Sequence, residues 1–182
     1  MTELRVERAV EADLPRIVAI SNWAAEHTAA NFATAPETLD DWLAAWREHG
    51  ALHPWFVARA ADGSVLGFAK SAPHKSRCGY AWSAEVSVYL DPSVHGRGVG
   101  TALYARLLGI LEAQGYATVI AGITAGHVAS ERLHAKMGFV RCATFHRVGF
   151  KLGRWHDVGY WEKLLSTGDA APTPVRRVSD VA

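Results

Sequence analysis

AEVSVYLDPSVHGRGVGTALYARLLGILEAQ, residues 84–114, has the pattern of a strand, a tight turn, a glycine-rich loop and a helix. The segment AEVSVYL alternates and is rich in Val and Tyr, which predicts a half-buried strand that ends at Leu90. Pro92 favours a turn there, because proline cannot donate a hydrogen bond to a sheet. After the loop, apolar residues recur at helical spacing, which predicts a helix over 98–114.

The loop His95-Gly96-Arg97-Gly98-Val99-Gly100 has the composition of an anion site. Its glycines remove side chains that would keep a ligand from the backbone, and the first turn of the following helix presents free N–H groups. A phosphate is the natural occupant of such a site. The loop lacks the Gly-Lys-Ser/Thr ending of a P-loop, and the acidic residue that follows a dinucleotide fingerprint is absent. On spacing alone, a glycine-rich turn without a ligand remains an alternative.

Length and charge limit the classes of function. The chain has 182 residues, with 19 Lys and Arg against 18 Asp and Glu, so nucleic acid is not an expected partner. We expect one folded domain over 1–165 and, from its composition, a flexible tail over 166–182. No apolar run is long enough to cross a membrane and the first residues do not resemble a signal peptide, which predicts a cytoplasmic protein without membrane contact.

Helices and strands alternate along the chain in an order that predicts an α/β or mixed α+β sheet. Helices are expected from residue 11, over 36–49 with Leu39, Trp42, Leu43 and Trp46 buried, over 98–114 and over 130–137. Strands are expected over 4–8, 55–59, 65–72, 118–123, 139–150 and 155–164, in addition to the strand that ends at Leu90.

The strand, the Gly-x-Gly loop and the helix together resemble the acetyl-CoA pyrophosphate loop of the GNAT superfamily of N-acetyltransferases. The resemblance runs from about Val6 to Lys163, and its details are similar to the phosphinothricin N-acetyltransferase branch. These details are Phe32, Lys75 and Arg77 before Tyr80 and Trp82, Glu85, LEAQGY at 111–116, SERLH at 130–134 and GFKLGRWHDVGYW at 149–161. It implies a single GNAT-type domain with a central, mostly antiparallel sheet, splayed at the acetyl-CoA site and flanked by helices. It also implies a homodimer.

The resemblance also implies which residues hold acetyl-CoA, the co-substrate. The pyrophosphate would lie on the loop and the first turn of its helix, at His95, Gly96, Arg97, Gly98, Val99, Gly100 and Thr101. The pantetheine arm would pair with the main chain of Val86, Val88 and Leu90, as a peptide pairs with a strand edge. His127 and Ser130 would lie beside the arm.

Two residues are candidates for proton transfer. Glu85 is expected near the incoming amine, where a carboxylate accepts a proton directly or through one water. His134 stands where many relatives carry a tyrosine that protonates the leaving thiolate, and an imidazole can serve there or share the role of base. Which of the two is the base stays open. No metal-ligand spacing and no nucleophile motif is visible, so we expect no metal and direct transfer.

The acceptor is expected to be the α-amine of a small amino acid analogue such as phosphinothricin, methionine sulfoximine or methionine sulfone. Lys75 and Arg77 would bind an anionic group of the acceptor, and Phe32, Tyr80 and Trp82 would form walls.

The chain departs from the branch at His95, at His127, at Trp23-Ala24 and at Ala33. The first two bear on CoA binding and the last two on the substrate. Another primary amine (a polyamine or a peptide), or a non-catalytic acyl-CoA-binding module, therefore remains an alternative.

Overall fold

The computed structural model describes residues 4–181 and contains one seven-stranded sheet. The strands are β1 (Arg5–Arg8), β2 (Trp55–Arg59), β3 (Val65–Pro73), β4 (Ser83–Leu90), β5 (Thr118–Thr124), β6 (Val140–Lys151) and β7 (Arg154–Leu164), in the order β1-β2-β3-β4-β5-β7-β6. Every neighbouring pair is antiparallel except β4 and β5. The predicted mixed α/β fold with a mostly antiparallel sheet is confirmed.

The one parallel pair of strands is also the place where the sheet opens. β4 pairs with β5 at only three positions, Ser83 with Thr118, Ala84 with Val119 and Glu85 with Ile120. β4 then continues to Leu90 along β3, whereas β5 continues along β7. The second half of β4 therefore turns one backbone edge toward a cleft.

Helices cover both faces of the sheet. They are α1 (Leu14–His27), α2 (Leu39–His49), α3 (Val99–Gln114) and α4 (Val128–Lys136). On one face, α3 packs on the sheet through Leu103, Leu107 and Leu111, and Leu133 of α4 joins the same core. On the other face, α1 and α2 cover β2 and β3 through residues that include Ile17, Trp42 and Phe68.

The second helix is shorter than its sequence predicts. It begins at Leu39, since the Thr38 hydroxyl caps it by accepting the Asp41 N–H at 3.2 Å. Trp42 is its one fully buried side chain, and Leu39 remains 38% exposed. The prediction that Leu39 is buried is therefore wrong, because the residue lies at the first position of the helix, at its exposed edge.

The carboxyl-terminal segment is not the free tail that its composition predicts. The Arg176 N–H donates to the Gln114 carbonyl at 2.8 Å, and the Val178 N–H donates to the Ala51 carbonyl at 2.9 Å. Val178 is completely buried in the core around α3. This segment therefore adds to the core at the carboxyl end of the helix that carries the glycine loop.

The β6–β7 hairpin keeps several large apolar side chains at the surface: Phe145, Val148, Phe150, Leu152 and Trp155 are each more than half exposed. Phe150 and Trp155 pack edge to face at 5.3 Å between ring centroids. Over residues 4–181, no helix is both long and apolar enough to span a bilayer.

Candidate active site

The loop between β4 and α3 is held open by a local turn at its start. The Asp91 carboxylate accepts the Ser93 N–H at 2.9 Å, and it forms an ion pair with Arg16 of α1. Beyond this turn, Gly96 and Gly98 take φ values of +76° and +80°, a left-handed conformation that side chains disfavour. The glycines are therefore needed for the path of the backbone, as well as for access to it.

The loop delivers the amino terminus of α3 to the open part of the sheet. The first hydrogen bond of α3 runs from the Ala102 N–H to the Gly98 carbonyl at 3.1 Å, so the N–H groups of Val99, Gly100 and Thr101 precede it. The side chains of His95 and Arg97 are exposed on the loop. Free N–H groups at a helix start, with a cation nearby, suit a pyrophosphate.

Close packing fixes this helix start against α4. A Cβ atom placed on Gly100 would lie 3.1 Å from a methyl group of Leu133, and 3.7 Å from one of Leu90. Val99 and Gly100 are buried at this helix start, whereas His95, Gly96, Arg97 and Gly98 are exposed. The binding of acetyl-CoA by these residues stays a prediction. Val86, Val88 and Leu90 lie on the strand that borders the same cleft, and their side chains pack into the core beneath α3.

Glu85 is the last residue of β4 that pairs with β5, at the point where the cleft begins. Its side chain is 50% exposed, so its carboxylate can meet a substrate. The Nδ1 atom of His74 lies 3.0 Å from Oε1 of Glu85. The carboxylate therefore sits at the inner end of the cleft with one oxygen already hydrogen-bonded.

His134, the second predicted catalytic residue, is only 3% exposed, and both of its ring nitrogens are engaged. Nδ1 donates to the Ser130 carbonyl at 2.8 Å, so Nε2 is the acceptor for the Tyr104 hydroxyl at 3.0 Å. Burial lowers the pKa of His134, against a smaller raising effect of the hydrogen bond to Ser130. Burial also raises the pKa of Tyr104 well above its usual range. His134 is therefore a neutral link between α3 and α4 near pH 7.

His127 caps the helix that carries His134. Its Nδ1 accepts the Ser130 N–H at 3.2 Å, which is the hydrogen bond that an asparagine makes at the same kind of position. This capping geometry explains how histidine can replace the asparagine expected from the branch. His127 ends the loop that follows β5, and Ser130 lies in the first turn of α4.

A cavity of about 410 Å³ lies on the same face of the sheet as Glu85. Glu85 pairs with Ile120 of β5, and Gly122 lies two residues farther along β5, on the same face of the sheet. The cavity is lined by Ala30, Phe32, Gly122, Thr124, Val148, Gly149, Phe150, Val158 and Tyr160.

Phe32 enters this cavity because Gly149 leaves room for its ring. A Cβ atom on Gly149 would lie 2.3 Å from Cε1 of Phe32. The loop that carries Phe32 is tied to the sheet by a hydrogen bond from the Thr124 hydroxyl to the Ala29 carbonyl at 2.5 Å, and by a second from Lys151 to the Asn31 carbonyl. Phe32 therefore lines a pocket, and the binding of the acceptor in this pocket stays a prediction.

The other predicted acceptor residues lie on the loop after β3. Lys75 and Arg77 are exposed, and within residues 4–181 neither forms a salt bridge. Tyr80 is 46% exposed and packs edge-on against His74 at 5.8 Å. These two cations and Tyr80 thus share a loop with the residue that bonds Glu85.

Trp82 does not join this group, contrary to the expectation from the sequence. Its Nε1 donates to the Thr173 carbonyl at 2.7 Å, on the segment that packs beside α3. Trp82 lies in the turn immediately before β4, and its hydrogen bond directs the indole to the carboxyl-terminal segment, which packs on the same core as α3. The described part of the chain contains no cluster of three or more His, Cys, Asp or Glu side chains that could hold a metal ion.

Sequence reasoning missed His74 and most of the cavity lining. His74 carries no motif of its own, and its approach to Glu85 depends on the β3–β4 register, which sets Ala72 opposite Glu85. The register that brings Gly122 beside Tyr160 is equally non-local. An isolated Gly in the apolar strand 118–123 was the one available signal, since such a glycine often marks a close approach of a ligand.

Comparison with known proteins finds similarity to acetyltransferases. Residues 17–139 match the sequence model of the acetyltransferase (GNAT) family. Phosphinothricin N-acetyltransferase of Streptomyces viridochromogenes is 35% identical over 178 residues, which cover 98% of this chain and 96% of that protein. L-methionine sulfoximine/L-methionine sulfone acetyltransferase of Pseudomonas paraeruginosa is 35% identical over 164 residues, 88% of this chain and 94% of that protein.

A solved structure extends the similarity to three dimensions. The crystal structure of a GNAT superfamily phosphinothricin acetyltransferase from Sinorhizobium meliloti, in complex with acetyl-CoA, superimposes with a TM-score of 0.87 at 32% identity. The superposition covers 94% of this chain and 93% of that one.

Proposed function

Because this chain belongs to the acetyltransferase (GNAT) family, we propose that it transfers the acetyl group of acetyl-CoA to the α-amine of a small amino acid analogue. The chain is an N-acetyltransferase with acetyl-CoA as co-substrate, since relatives that align over nearly its whole length carry that activity in their names. The acceptor that we propose is of the phosphinothricin, methionine sulfoximine or methionine sulfone type.

One observation carries the proposal: Glu85 stands where the sheet opens, as the last β4 residue paired with β5, and the cavity beside Phe32 lies farther along β5 on the same face of the sheet. A thioester that enters along β4 from the loop reaches Glu85 from one side. An amine whose side chain occupies the cavity reaches it from the other. The two substrates thus meet at a carboxylate, and this arrangement supports direct transfer in a ternary complex.

The proposed chemistry needs one proton acceptor before the attack. An α-ammonium group gives a proton to the Glu85 carboxylate, directly or through one water, and becomes a nucleophilic amine. Its nitrogen then attacks the acetyl carbonyl carbon, a C–N bond forms, and the C–S bond of the thioester breaks. The nitrogen loses a second proton, and the departing thiolate takes up a proton, so the products are an amide and free CoA. No bond between the acetyl group and the protein is required.

Glu85, rather than His134, is the base in this proposal. His134 is buried, its Nδ1 proton is committed to the Ser130 carbonyl, and its Nε2 lone pair is committed to Tyr104. A lowered pKa keeps it neutral near pH 7, so it has no proton to give as an imidazolium. We assign to His134 the positioning of α4 and the capped loop before it, which flank the cleft.

The cavity supports a short acceptor side chain that ends in a methyl group. Phosphinothricin, methionine sulfoximine and methionine sulfone all carry a methyl group on a tetrahedral phosphorus or sulfur atom. Phe32, Val148 and Val158 offer apolar contacts to such a methyl group, and the loop with Lys75 and Arg77 supplies positive charge for a carboxylate or phosphinate.

We also propose that the protein forms a homodimer through the β6–β7 hairpin. Phe150 and Trp155 pack together on its surface, the exposed Leu152 lies in the turn between them, and exposed apolar patches mark protein–protein interfaces. Sedimentation of the wild type and of Trp155→Glu tests this proposal. A dimer that the substitution converts to a monomer is the expected result, and a wild type that is monomeric at micromolar concentration would contradict it.

The function is tested by thiol release from acetyl-CoA with a panel of amines. The panel contains phosphinothricin, methionine sulfone, methionine sulfoximine, spermidine and a short peptide. We expect rapid turnover with the three amino acid analogues. Turnover with spermidine or the peptide alone would contradict the acceptor pocket, and acetyl-CoA binding without turnover on any amine would favour a non-catalytic binding module.

A further inference from the structure

We propose that His74 is a positioning residue for the reaction: its ring holds the Glu85 carboxylate in the one orientation that meets the incoming amine. This inference concerns a residue that belongs to none of the sequence motifs of the site. It rests on the proposed function of Glu85 as the proton acceptor.

The geometry of the pair is that of a directed hydrogen bond. His74 Nδ1 lies 3.0 Å from Glu85 Oε1. His74 immediately follows Pro73, the last residue of β3 that pairs with β4. A carboxylate can only accept, so Nδ1 carries the proton and donates it. The other oxygen, Oε2, is left for the amine or for a water between them.

The ring of His74 is more buried than the Glu85 carboxylate to which it is hydrogen-bonded. The His74 side chain is 16% exposed, against 50% for Glu85, and Tyr80 packs edge-on against the ring at 5.8 Å. A half-exposed glutamate has three staggered wells about each of χ1 and χ2, which gives roughly nine rotamers. The hydrogen bond from this mostly buried ring favours one of these rotamers.

Loss of this donor therefore has a calculable effect on turnover. An untethered carboxylate spends about a tenth of its time in the productive rotamer, so kcat is expected to fall about tenfold in His74→Leu. Neither substrate touches His74 in this proposal, so KM for acetyl-CoA and for the acceptor should change by less than about twofold. A merely structural role would lower stability or both parameters instead.

Conservative replacement and a double-mutant cycle separate positioning from folding. His74→Asn keeps an amide N–H near the place of Nδ1, and we expect it to retain kcat within about threefold of the wild type. In a Glu85→Gln background, His74→Leu should cause no further loss, because the two residues act as one unit. Thermal unfolding of each variant shows whether it is folded.

A matched control is available in the β6–β7 hairpin, where His146 Nδ1 lies 2.9 Å from Asp157 Oδ2. This histidine–carboxylate pair has the same separation in sequence as His74 and Glu85, and neither of its residues lines the cavity. We expect His146→Leu to leave kcat unchanged. Wild-type kcat in His74→Leu, or an equal fall of kcat in both leucine variants, would overturn the proposal.

A spectroscopic test distinguishes failure of this inference from failure of the proposed function. In ¹⁵N-histidine-labelled protein, the His74 signals, identified by their loss in His74→Asn, should show a protonated Nδ1 and should shift in Glu85→Ala. A His74 ring protonated only at Nε2 and insensitive to Glu85→Ala would overturn the inference. A wild type that turns over no amine contradicts the proposed function, and the spectrum still decides whether His74 holds Glu85.

Discussion

The left-handed conformation of Gly98 gives the sharpest test of the pyrophosphate loop. Gly98 has φ +80° and ψ 0° immediately before α3, and a Cβ atom built on it meets no atom within 4 Å. A Gly98→Ala substitution therefore creates no clash with the surroundings, and its cost is that of the backbone conformation alone. For an L-residue that cost is about 1–2 kcal/mol.

The conformational cost of Gly98→Ala should appear in the free energy of unfolding, in the affinity for acetyl-CoA, or in both. If the free loop keeps its conformation, the free energy of unfolding falls by about 1–2 kcal/mol. If the free loop relaxes and re-forms around acetyl-CoA, the dissociation constant rises about 5- to 30-fold, since 1.4 kcal/mol is a factor of ten. The sum of both losses should therefore be about 1–2 kcal/mol. Calorimetric titration with acetyl-CoA and urea unfolding together measure it.

A matched control lies within the same helix. Gly109 is exposed in the middle of α3, with open space where a Cβ atom would lie and without a positive φ. Gly109→Ala should stabilise the protein by about 0.5–1 kcal/mol and leave acetyl-CoA binding unchanged. Gly98→Asn should recover part of the loss, because asparagine tolerates this conformation better than alanine. Identical behaviour of Gly98→Ala and Gly109→Ala would refute the assignment of a required left-handed position.

Three other predictions concern the acceptor, the carboxyl-terminal segment and pH. Replacing both Lys75 and Arg77 with Ala should raise KM for phosphinothricin about three- to tenfold more than KM for methionine sulfone, whose side chain is uncharged, and equal effects in steady-state kinetics would exclude a contact with the phosphinate. Val178→Ala should lower the free energy of unfolding by about 2 kcal/mol, from two lost methyl contacts and a small cavity, and a loss below about 0.5 kcal/mol in urea unfolding would mean that the segment is not packed. Burial, with a smaller effect of His49, lowers the pKa of His53 to about 4, so the folded state keeps this ring neutral. Stability should therefore fall as the pH is lowered from about 6.5 to about 4, His53→Leu should flatten that interval, and an unchanged pH dependence in the variant would contradict the prediction.

The local parts of the site could be predicted from the sequence, because their conformation is set by neighbours along the chain. The strand, the turn at Pro92, the glycine loop and α3 lie within 84–114, and each has a propensity or a cap of its own. The predicted helix began at 98, one residue before the observed start, since Gly98 is the cap. The mixed sheet followed from the order of elements, whereas its splay was known only through the resemblance to the GNAT superfamily.

The features of the site that the sequence did not predict depend on contacts between residues on different elements. His74 meets Glu85 only through the register of β3 and β4, and Phe32 reaches the cavity only because Gly149, more than a hundred residues away, leaves space for it. No window of sequence contains both Phe32 and Gly149, and the segment from His74 to Glu85, a separation of 11 residues, contains no motif that fixes the register between β3 and β4. The propensity of each residue alone gives no indication of these contacts.

The prediction of a flexible segment after Ser166 was wrong for a different reason. Its Pro, Ala and Ser content indicates a flexible tail, but Val175, Val178 and Val181 recur at every third position and all pack on the core around α3. That spacing was visible in the sequence, and the low overall hydrophobicity of the segment hid it. The packing energy of the buried Val178 and the partly buried Val175 and Val181 is enough to order a short segment when main-chain hydrogen bonds to Gln114 and Ala51 accompany it.

The most direct measurement compares wild-type protein with Glu85→Gln in one reaction, with acetyl-CoA and L-methionine sulfone as substrates. Free thiol and N-acetylated product are quantified together, the product by mass spectrometry. We predict one acetylated amine for each thiol released by the wild type, and a kcat lower by about 100-fold or more in Glu85→Gln, with the protein still folded and acetyl-CoA still bound. Thiol release without an acetylated amine, or a wild-type rate in Glu85→Gln, would contradict the proposed transfer at this carboxylate.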